Sequence, residues 1–114
     1  MSKLYYFAHP YTGDEEGNFN LCCSRSAELI KRGWLVYSPI AHTHPIHRAW
    51  LGTRNVDWYE FDNAFIRIIP FAGIILAPGW RDSEGCVKER ELFKSLNREI
   101  LSYEVCLEKD NEKL

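Results

Sequence analysis

A short segment late in the chain places a serine, a glycine and a glutamate at the spacing of a helix start. Residues 79–89 have the sequence Gly-Trp-Arg-Asp-Ser-Glu-Gly-Cys-Val-Lys-Glu, so Ser83, Gly85 and Glu89 fall in the first turns of a predicted helix. Free N–H groups at a helix N-terminus suit a phosphate or a hydroxyl-rich ligand, and a glycine there lets the ligand approach the backbone. One turn on, the Glu89 carboxylate can attack the anomeric carbon of a sugar and form a covalent intermediate. The alternative is an ordinary capped helix with a surface glutamate.

The four histidines are a second group with possible chemistry. His42, His44 and His47 lie in one segment, and His9 follows the first apolar run. The His-x-His spacing can bind a metal, which makes a metal-dependent phosphoesterase an alternative function. No Asp or Glu lies within residues 38–55 to complete such a site, so we predict that these histidines contact a base or order the segment instead. We predict no metal and no cofactor.

Cysteine and tryptophan side chains offer weaker alternatives. Cys86 lies near the predicted helix N-terminus, which can lower a thiol pKa, but it has no histidine beside it in the sequence. A thiol nucleophile is therefore a third choice after the carboxylate and the metal. Trp50, Trp58 and Trp80 can stack on a base, although aromatic side chains more often pack in a core.

Length, charge and cysteine content limit the class of protein. A chain of 114 residues supports one domain. Its net charge of −2 and pI of about 6.1 lack the excess of positive charge that is typical of proteins that bind polynucleotides. Adjacent Cys22 and Cys23 are a poor disulfide pair, which favours free thiols in a reducing cytosol. Without a secretory signal or a run of about 18–20 apolar residues, we expect a cytoplasmic protein with no membrane partner.

Short apolar runs alternate with segments of helical periodicity, which predict buried strands and helices. The predicted strands are 4–8, 34–37, 72–77 and 100–105, and the predicted helices are about 18–32, 56–69 and 83–97. Residues 13–17 are predicted to be a polar turn. Residues 38–55, with two prolines and three histidines, are predicted to be an irregular functional loop. Residues 1–107 form the single predicted domain, and residues 108–114 a charged tail.

This alternation of strands and helices predicts an α/β fold. We expect a Rossmann-like (flavodoxin-like) three-layer α/β/α sandwich with a parallel sheet of four or five strands. In such sheets, ligands bind beyond the carboxyl ends of the strands. That rule brings together three segments, residues 8–11, 38–46 and 78–89, which hold the unusual polar side chains.

Four motifs within residues 4–105 resemble those of the nucleoside 2-deoxyribosyltransferase-like superfamily. They are Tyr6-Phe7-Ala8-His9-Pro10-Tyr11, the nine residues from Ser38 to Ile46, Asp62, and Ser83-x-Gly85-x-x-x-Glu89. The superfamily includes nucleoside deoxyribosyltransferases and nucleoside 5′-monophosphate N-glycosidases. The Ser38–Ile46 stretch is similar to a small branch found in phages and bacteria. Each motif is weak alone, and their order along the chain carries the resemblance.

The resemblance implies an enzyme that cleaves or transfers at the N-glycosidic bond of (deoxy)nucleosides or nucleoside 5′-monophosphates. Glu89 is expected to be the nucleophile, and Asp62 to protonate or orient the departing base. Ser83 and Gly85 are expected to bind the 5′ side of the sugar. The full set of expected substrate-binding residues is Tyr6, His9, Pro10, Tyr11, His42, His44, Trp80, Ser83 and Gly85.

Departures from the family pattern leave the substrate open. Ser83 stands where transferases often have Asp and where nucleotide hydrolases use Ser on the 5′-phosphate, which favours a nucleotide. His9 stands where Gly or Ser is more usual, and Phe71-Ala72 where many members have an acidic residue. A nucleotide-binding sensor without turnover is an alternative. We expect a homodimer or larger homo-oligomer, in which the tail beyond Tyr103 is a candidate to complete a neighbouring pocket.

Overall fold

The structure is a computed structural model that describes residues 2–49 and 58–108. The strands are β1 (Leu4–Ala8), β2 (Leu35–Tyr37), β3 (Gly73–Leu76) and β4 (Glu99–Ser102). The helices are α1 (Glu15–Lys31), α2 (Pro39–Ala49), α3 (Trp58–Ile68), α4 (Glu84–Ser95) and α5 (Tyr103–Glu108), with a short 3₁₀ helix at Trp80–Asp82. At least one helix separates each pair of successive strands, which is the connection that parallel strands require.

The strands form one parallel sheet in the order β2-β1-β3-β4. Leu4 pairs with Leu35, and Tyr5 pairs with Gly73. Because β2 and β3 lie on opposite sides of β1, the chain changes direction across the sheet at β1, and this is where such folds bind ligands. The predicted Rossmann-like, flavodoxin-like three-layer fold with a parallel sheet is confirmed, with four strands.

Both faces of the sheet are covered by helices, and each face has its own apolar cluster. Side chains alternate along β1 because successive residues of a strand point to opposite faces. Tyr5 and Phe7 pack with side chains of α1 and α5, whereas Tyr6 and Ala8 pack with side chains of α3 and α4. The continuous apolar run at residues 4–8 therefore reflects a strand that is buried on both sides.

Helices α1 and α4 each begin at a side-chain cap. The Asp14 carboxylate accepts a hydrogen bond from the Gly17 N–H (3.1 Å), so α1 begins at Glu15. The predicted turn at residues 13–17 is therefore wrong for its last three residues, because the capped helix continues through Gly17. The Ser83 hydroxyl accepts from the Cys86 N–H (3.3 Å) and caps α4. This second cap lies where the sequence predicts it.

Helix α2 corrects the prediction of an irregular loop at residues 38–55. Pro39 occupies the first helical position, where a missing N–H removes no helical hydrogen bond. The His42 N–H then donates to the Ser38 carbonyl (3.3 Å), and the Thr43 hydroxyl donates to the Pro39 carbonyl (3.0 Å). Two prolines suggested a loop, but one starts the helix and Pro45 is accommodated within it. Residues 50–55 of that prediction lie outside the described residues.

The C-terminal strand is shorter than predicted. Strand β4 ends at Ser102, whose hydroxyl accepts from the Val105 N–H (3.1 Å) and starts α5. The predicted strand over 100–105 is therefore wrong for 103–105. The Trp34 indole N–H donates to the Cys106 carbonyl (3.1 Å) and holds α5 on its own domain. Residues 109–114 of the predicted tail lie outside the described residues. None of the helices within 2–49 and 58–108 has the length and apolar composition needed to cross a bilayer.

Candidate active site

A cavity of about 230 Å³ opens at the carboxyl ends of the strands. Four segments that are distant in sequence form its walls, and three of them follow strand ends, as the fold predicts. Its lining consists of His9, Tyr11 and Thr12 after β1, Pro39, Ile40, Thr43 and His47 from α2, Trp58, Tyr59 and Asp62 from α3, and Ser83, Gly85, Cys86 and Glu89 at the start of α4.

A second cavity, of about 590 Å³, adjoins the first in front of the N-terminus of α4. The two cavities share Tyr11, Thr12, Ser83 and Gly85 as lining residues. The remaining lining of the second cavity is Pro10, Gly79, Asp82 and Glu84. Together the cavities offer space in the range of small-molecule sites, which is about 300–1,000 Å³.

Glu89 is a buried carboxyl group at the base of the first cavity. Its side chain is 7% exposed, and one of its oxygens accepts a hydrogen bond from the Tyr6 hydroxyl (2.5 Å). Burial raises the pKa of Glu89 to about 8, the hydrogen bond from Tyr6 lowers it, and the charge of Asp62 raises it. Burying a carboxyl group destabilises a fold unless its charge is compensated. Strongly shifted pKa values beside a cavity are therefore typical of functional residues.

Asp62 is the second carboxyl group of the cavity. Burial raises its pKa from 3.8 to about 7. Its Oδ1 atom is buried and has no hydrogen-bond partner among the described residues. An unsatisfied buried carboxyl oxygen destabilises the fold, so it indicates a group that is placed to meet a ligand.

Glu89 and Asp62 line the same cavity and both have raised pKa values. Burial raises both values, and the charge of Asp62 adds to the rise at Glu89, since Coulomb repulsion between like charges is strong in a poorly solvated site. With pKa values of about 7 and 8, the pair carries close to one proton in the neutral range. One carboxylate and one carboxylic acid are the partners required for nucleophilic attack on a sugar and protonation of a leaving group.

Residues 3–105 of the chain match the model of one protein family, described as a domain of unknown function, DUF1937. The chain belongs to the DUF1937 family. The matched range of this DUF1937 domain includes every residue that lines the two cavities. No curated protein matches the sequence.

The raised pKa of Glu89 makes a prediction about the stability of the DUF1937 domain. Between its ordinary pKa of 4.5 and the folded value of about 8, the folded state binds more protons than the unfolded state, so stability falls as pH rises. Glutamine at this position stays neutral. We expect Glu89→Gln to raise the melting temperature by at least about 4 °C at pH 8, with little change at pH 5. Thermal denaturation followed by circular dichroism measures both; an equal effect at the two pH values would contradict the prediction.

His9 lines the first cavity and is held in a defined orientation. His9 is buried, and burial lowers its pKa. Its Nδ1–H donates to the Pro10 carbonyl (2.8 Å), which leaves Nε2 to accept from the Arg25 guanidinium (3.0 Å). The His9 ring is thus a neutral, fully hydrogen-bonded part of the cavity wall. This arrangement favours a role in packing against a ligand over a role in proton transfer.

Gly85 lines both cavities at the start of α4. A Cβ atom at this position would meet no protein atom within 4 Å, so packing within the domain does not require glycine there. The open space lies where a ligand would approach the first turn of the helix, as the sequence predicts for Ser83 and Gly85.

Three residues predicted to bind substrate, Tyr6, His42 and His44, line neither cavity. Tyr6 is fully buried and contacts Glu89, because its place in β1 directs it into the core. His42 is exposed and stacks on the Phe61 ring, which is also exposed (centroids 6.0 Å apart). His44 is buried and hydrogen-bonded to the Tyr11 hydroxyl.

Pro10 and Trp80 were also predicted to bind substrate. Pro10 lines the second cavity only. The Trp80 ring packs against core residues and carries the Arg81 and Arg90 guanidinium groups on its faces (4.7 and 5.4 Å from the centroid). These contacts occupy the surface that stacking on a base would need. Trp58 does line the first cavity, and Trp50 lies outside the described residues.

Two alternatives from the sequence were a Cys86 thiol nucleophile and a histidine metal site. Cys86 lines the cavity, but burial raises its pKa to about 12, the nearby Glu89 charge acts in the same direction, and the Ser83 hydrogen bond lowers it. The side chain is thus a thiol, not a thiolate nucleophile. Residues 2–49 and 58–108 contain no group of three or more His, Cys, Asp or Glu side chains arranged to hold a metal ion.

Part of the cavity lining lies outside the set of residues expected from the sequence. In the first cavity these residues are Thr12, Pro39, Ile40, Thr43, His47, Trp58, Tyr59 and Cys86, and in the second they are Thr12, Gly79, Asp82 and Glu84. Within α2, Pro39, Thr43 and His47 are spaced four residues apart and so share one helix face. That spacing is visible in the sequence, but it has meaning only once the segment is known to be helical.

Proposed function

We propose that this domain cleaves or transfers at the N-glycosidic bond of (deoxy)nucleosides or nucleoside 5′-monophosphates through a covalent Glu89 glycosyl-enzyme intermediate. The observation that carries the proposal is the buried pair of Glu89 and Asp62, both with raised pKa, on the wall of one cavity. The resemblance of four sequence motifs to the nucleoside 2-deoxyribosyltransferase-like superfamily supports the same reaction.

The roles of the two carboxyl groups follow from their hydrogen bonds. Tyr6 donates to Glu89, and such a bond favours the ionised form. Asp62 receives no hydrogen bond at Oδ1 from the described residues, so that oxygen is available to share a proton with a ligand. The reactive form has Glu89 as the carboxylate and Asp62 as the acid. Because Asp62 has the lower pKa (about 7, against about 8 for Glu89), this is the less populated form of the singly protonated pair, and the hydrogen bond from Tyr6 increases its share.

In the first step a Glu89 oxygen forms a bond to the anomeric carbon while the bond from that carbon to the base nitrogen breaks. Asp62 transfers its proton to the departing base, which leaves neutral. In the second step, water or the nitrogen of a second base attacks the anomeric carbon, and the Glu89 ester bond breaks. The attacking group gives its proton to the Asp62 carboxylate, which restores both carboxyl groups.

The proposed pair predicts a bell-shaped dependence of kcat/KM on pH. Below about 7 both carboxyls are protonated and no nucleophile is present, and above about 8 both are ionised and no proton donor remains. We expect a maximum between the two values and a tenfold fall per pH unit well outside them. Initial rates from pH 5 to 10 measure this profile, and a rate independent of pH across 6–9 would contradict it.

Release of free base is the direct test of the proposed function. Purified protein is incubated with each common nucleoside, 2′-deoxynucleoside and 5′-monophosphate, with and without a second base, and products are separated by chromatography. Base released without an acceptor indicates hydrolysis, and new nucleoside formed only with an acceptor indicates transfer. Binding of these compounds without any product would contradict an enzyme and support the alternative of a nucleotide-binding sensor. The homo-oligomer expected from the small size of the domain stays a prediction.

A further inference from the structure

Tyr11 ends a chain of hydrogen bonds that runs from the protein surface to the cavity. The Tyr11 hydroxyl is 2.7 Å from His44 Nδ1, and His44 Nε2 is 3.1 Å from a Glu16 carboxylate oxygen. Arg48 donates to the other Glu16 oxygen (2.9 Å). Tyr11 lines both cavities, so the chain terminates where the two meet.

The proton positions in this chain follow from what each group can do. A carboxylate only accepts hydrogen bonds, so His44 Nε2 must carry the proton that is donated to Glu16. With that tautomer of the neutral imidazole, Nδ1 is an acceptor and the Tyr11 O–H donates to it. The Tyr11 proton is thereby directed toward His44, and the Tyr11 oxygen keeps a lone pair that can accept a hydrogen bond from a ligand in the cavities that Tyr11 lines.

The imidazole that orients Tyr11 is itself held in place. His44 is 4% exposed and stacks on the Phe19 ring (centroids 4.4 Å apart, planes at 29°). If Tyr11 turned its proton toward a ligand, His44 Nδ1 would be left buried without a donor. Such a loss reduces affinity by about 10–100-fold.

The second cavity, next to Tyr11, is also rich in acceptors. Asp82 and Glu84 contribute carboxylates to its lining, and Glu84 is paired with Lys88 (3.1 Å). Among the described residues that line the two cavities, none is Lys or Arg. At the α4 N-terminus, the Cys86 N–H already donates to Ser83. A group with a proton to donate fits this environment better than a phosphate, which above its second pKa of about 6 only accepts hydrogen bonds.

The following inference rests on the proposed function and names the substrate class more closely. We infer that Tyr11, oriented by His44 and Glu16, accepts a hydrogen bond from the 5′-hydroxyl of the substrate. The domain then acts on nucleosides in preference to their 5′-phosphates. Ser83, which by resemblance favours a nucleotide, serves in this arrangement as the cap of α4.

The test compares adenosine, 5′-deoxyadenosine and adenosine 5′-monophosphate, together with the corresponding thymidine set, as substrates. We expect kcat/KM of the wild-type protein to be about 10–100-fold higher for the nucleoside than for either relative. In Tyr11→Phe the preference over the 5′-deoxy compound should disappear, because the variant loses about 10–100-fold more rate with the nucleoside than with the 5′-deoxy compound. Tyr103→Phe changes a tyrosine that stacks on Phe7 (centroids 5.9 Å apart) and lines neither cavity, so it is the matched control and should keep the preference.

Variants of Glu16 test whether the hydrogen bond from His44 to Glu16 orients the Tyr11 hydroxyl. Glutamine retains an acceptor oxygen for His44 Nε2–H, so Glu16→Gln should keep most of the preference for the 5′-hydroxyl. Glu16→Ala removes that acceptor and should reduce the preference several-fold with little change for the 5′-deoxy substrate. Equal losses with both substrates in Tyr11→Phe, or a wild-type preference for the monophosphate, would overturn the inference.

Binding measurements keep this inference distinct from the proposed reaction. Calorimetric titration of Glu89→Gln with the same ligands should show tighter binding of the nucleoside than of its 5′-deoxy analogue, and Tyr11→Phe in that background should remove the difference. Selective binding without turnover in the wild type would reject the reaction and retain the role of Tyr11. Turnover without 5′ selectivity would reject the role of Tyr11 and retain the reaction. Binding of none of these compounds would overturn both.

Discussion

Replacement of Glu89 by glutamine will lower the rate of base release by at least about 1,000-fold, because an amide cannot form the glycosyl ester on which both steps depend. The effect should fall on kcat with little change in KM, since glutamine preserves the volume and the hydrogen bond with Tyr6. Chromatography of released base at saturating substrate, with single-turnover measurements, determines the loss.

The control for this variant lies on the same helix. Glu91 is exposed and pairs with Arg90 (2.8 Å) away from the cavity lining, so Glu91→Gln should retain wild-type activity. The two variants make the same chemical change two residues apart. If Glu89→Gln kept more than a tenth of the wild-type rate, Glu89 would not be the nucleophile.

Replacement of Asp62 by asparagine has the second largest expected effect. General acid catalysis contributes about 100–10,000-fold, so a nucleoside whose base needs a proton to leave should react slower by that factor. With 7-methylguanosine, whose base is positively charged and leaves without a proton, we expect the loss to be less than about tenfold. Parallel kcat/KM measurements on guanosine and 7-methylguanosine test the difference.

The matched control for Asp62 is Glu60→Gln, at an exposed position of the same helix. It should leave the rate with both substrates unchanged. Equal losses of activity on guanosine and 7-methylguanosine in Asp62→Asn would contradict a role in protonating the base. That result would instead place Asp62 in the binding of both substrates.

Much of the fold is determined by local patterns in the sequence. The apolar run at Leu4–Ala8 predicts a strand that is buried on both faces, and the structure packs its alternate side chains into two clusters. Ser83 predicts the start of α4, because a hydroxyl at that position satisfies a backbone N–H that the helix leaves free. These features depend on residues close in sequence, so a single chain is sufficient to recognise them.

Local patterns failed where one residue type suits two structures. Pro39 and Pro45 indicated a loop, but a proline at the first position of a helix is as favourable as one in a turn, and packing in the described domain selects the helix. Tyr103 to Val105 continue an apolar strand pattern, yet the Ser102 cap starts a helix there. In both segments, contacts with the rest of the domain decide between alternatives that are close in local energy.

The sequence by itself determined the α/β architecture, the segments that meet at the strand ends, and the candidacy of Glu89 and Asp62. Only the tertiary structure decided what surrounds those carboxyls. Tyr6 lies 83 positions from Glu89, and Tyr11 lies 33 positions from His44, so neither hydrogen bond is visible as a spacing. The raised pKa values and the direction of the Tyr11 proton arise from burial and from partners brought together by folding. Electrostatic environment is a property of the packed domain, because it depends on which groups exclude water and not on their order along the chain.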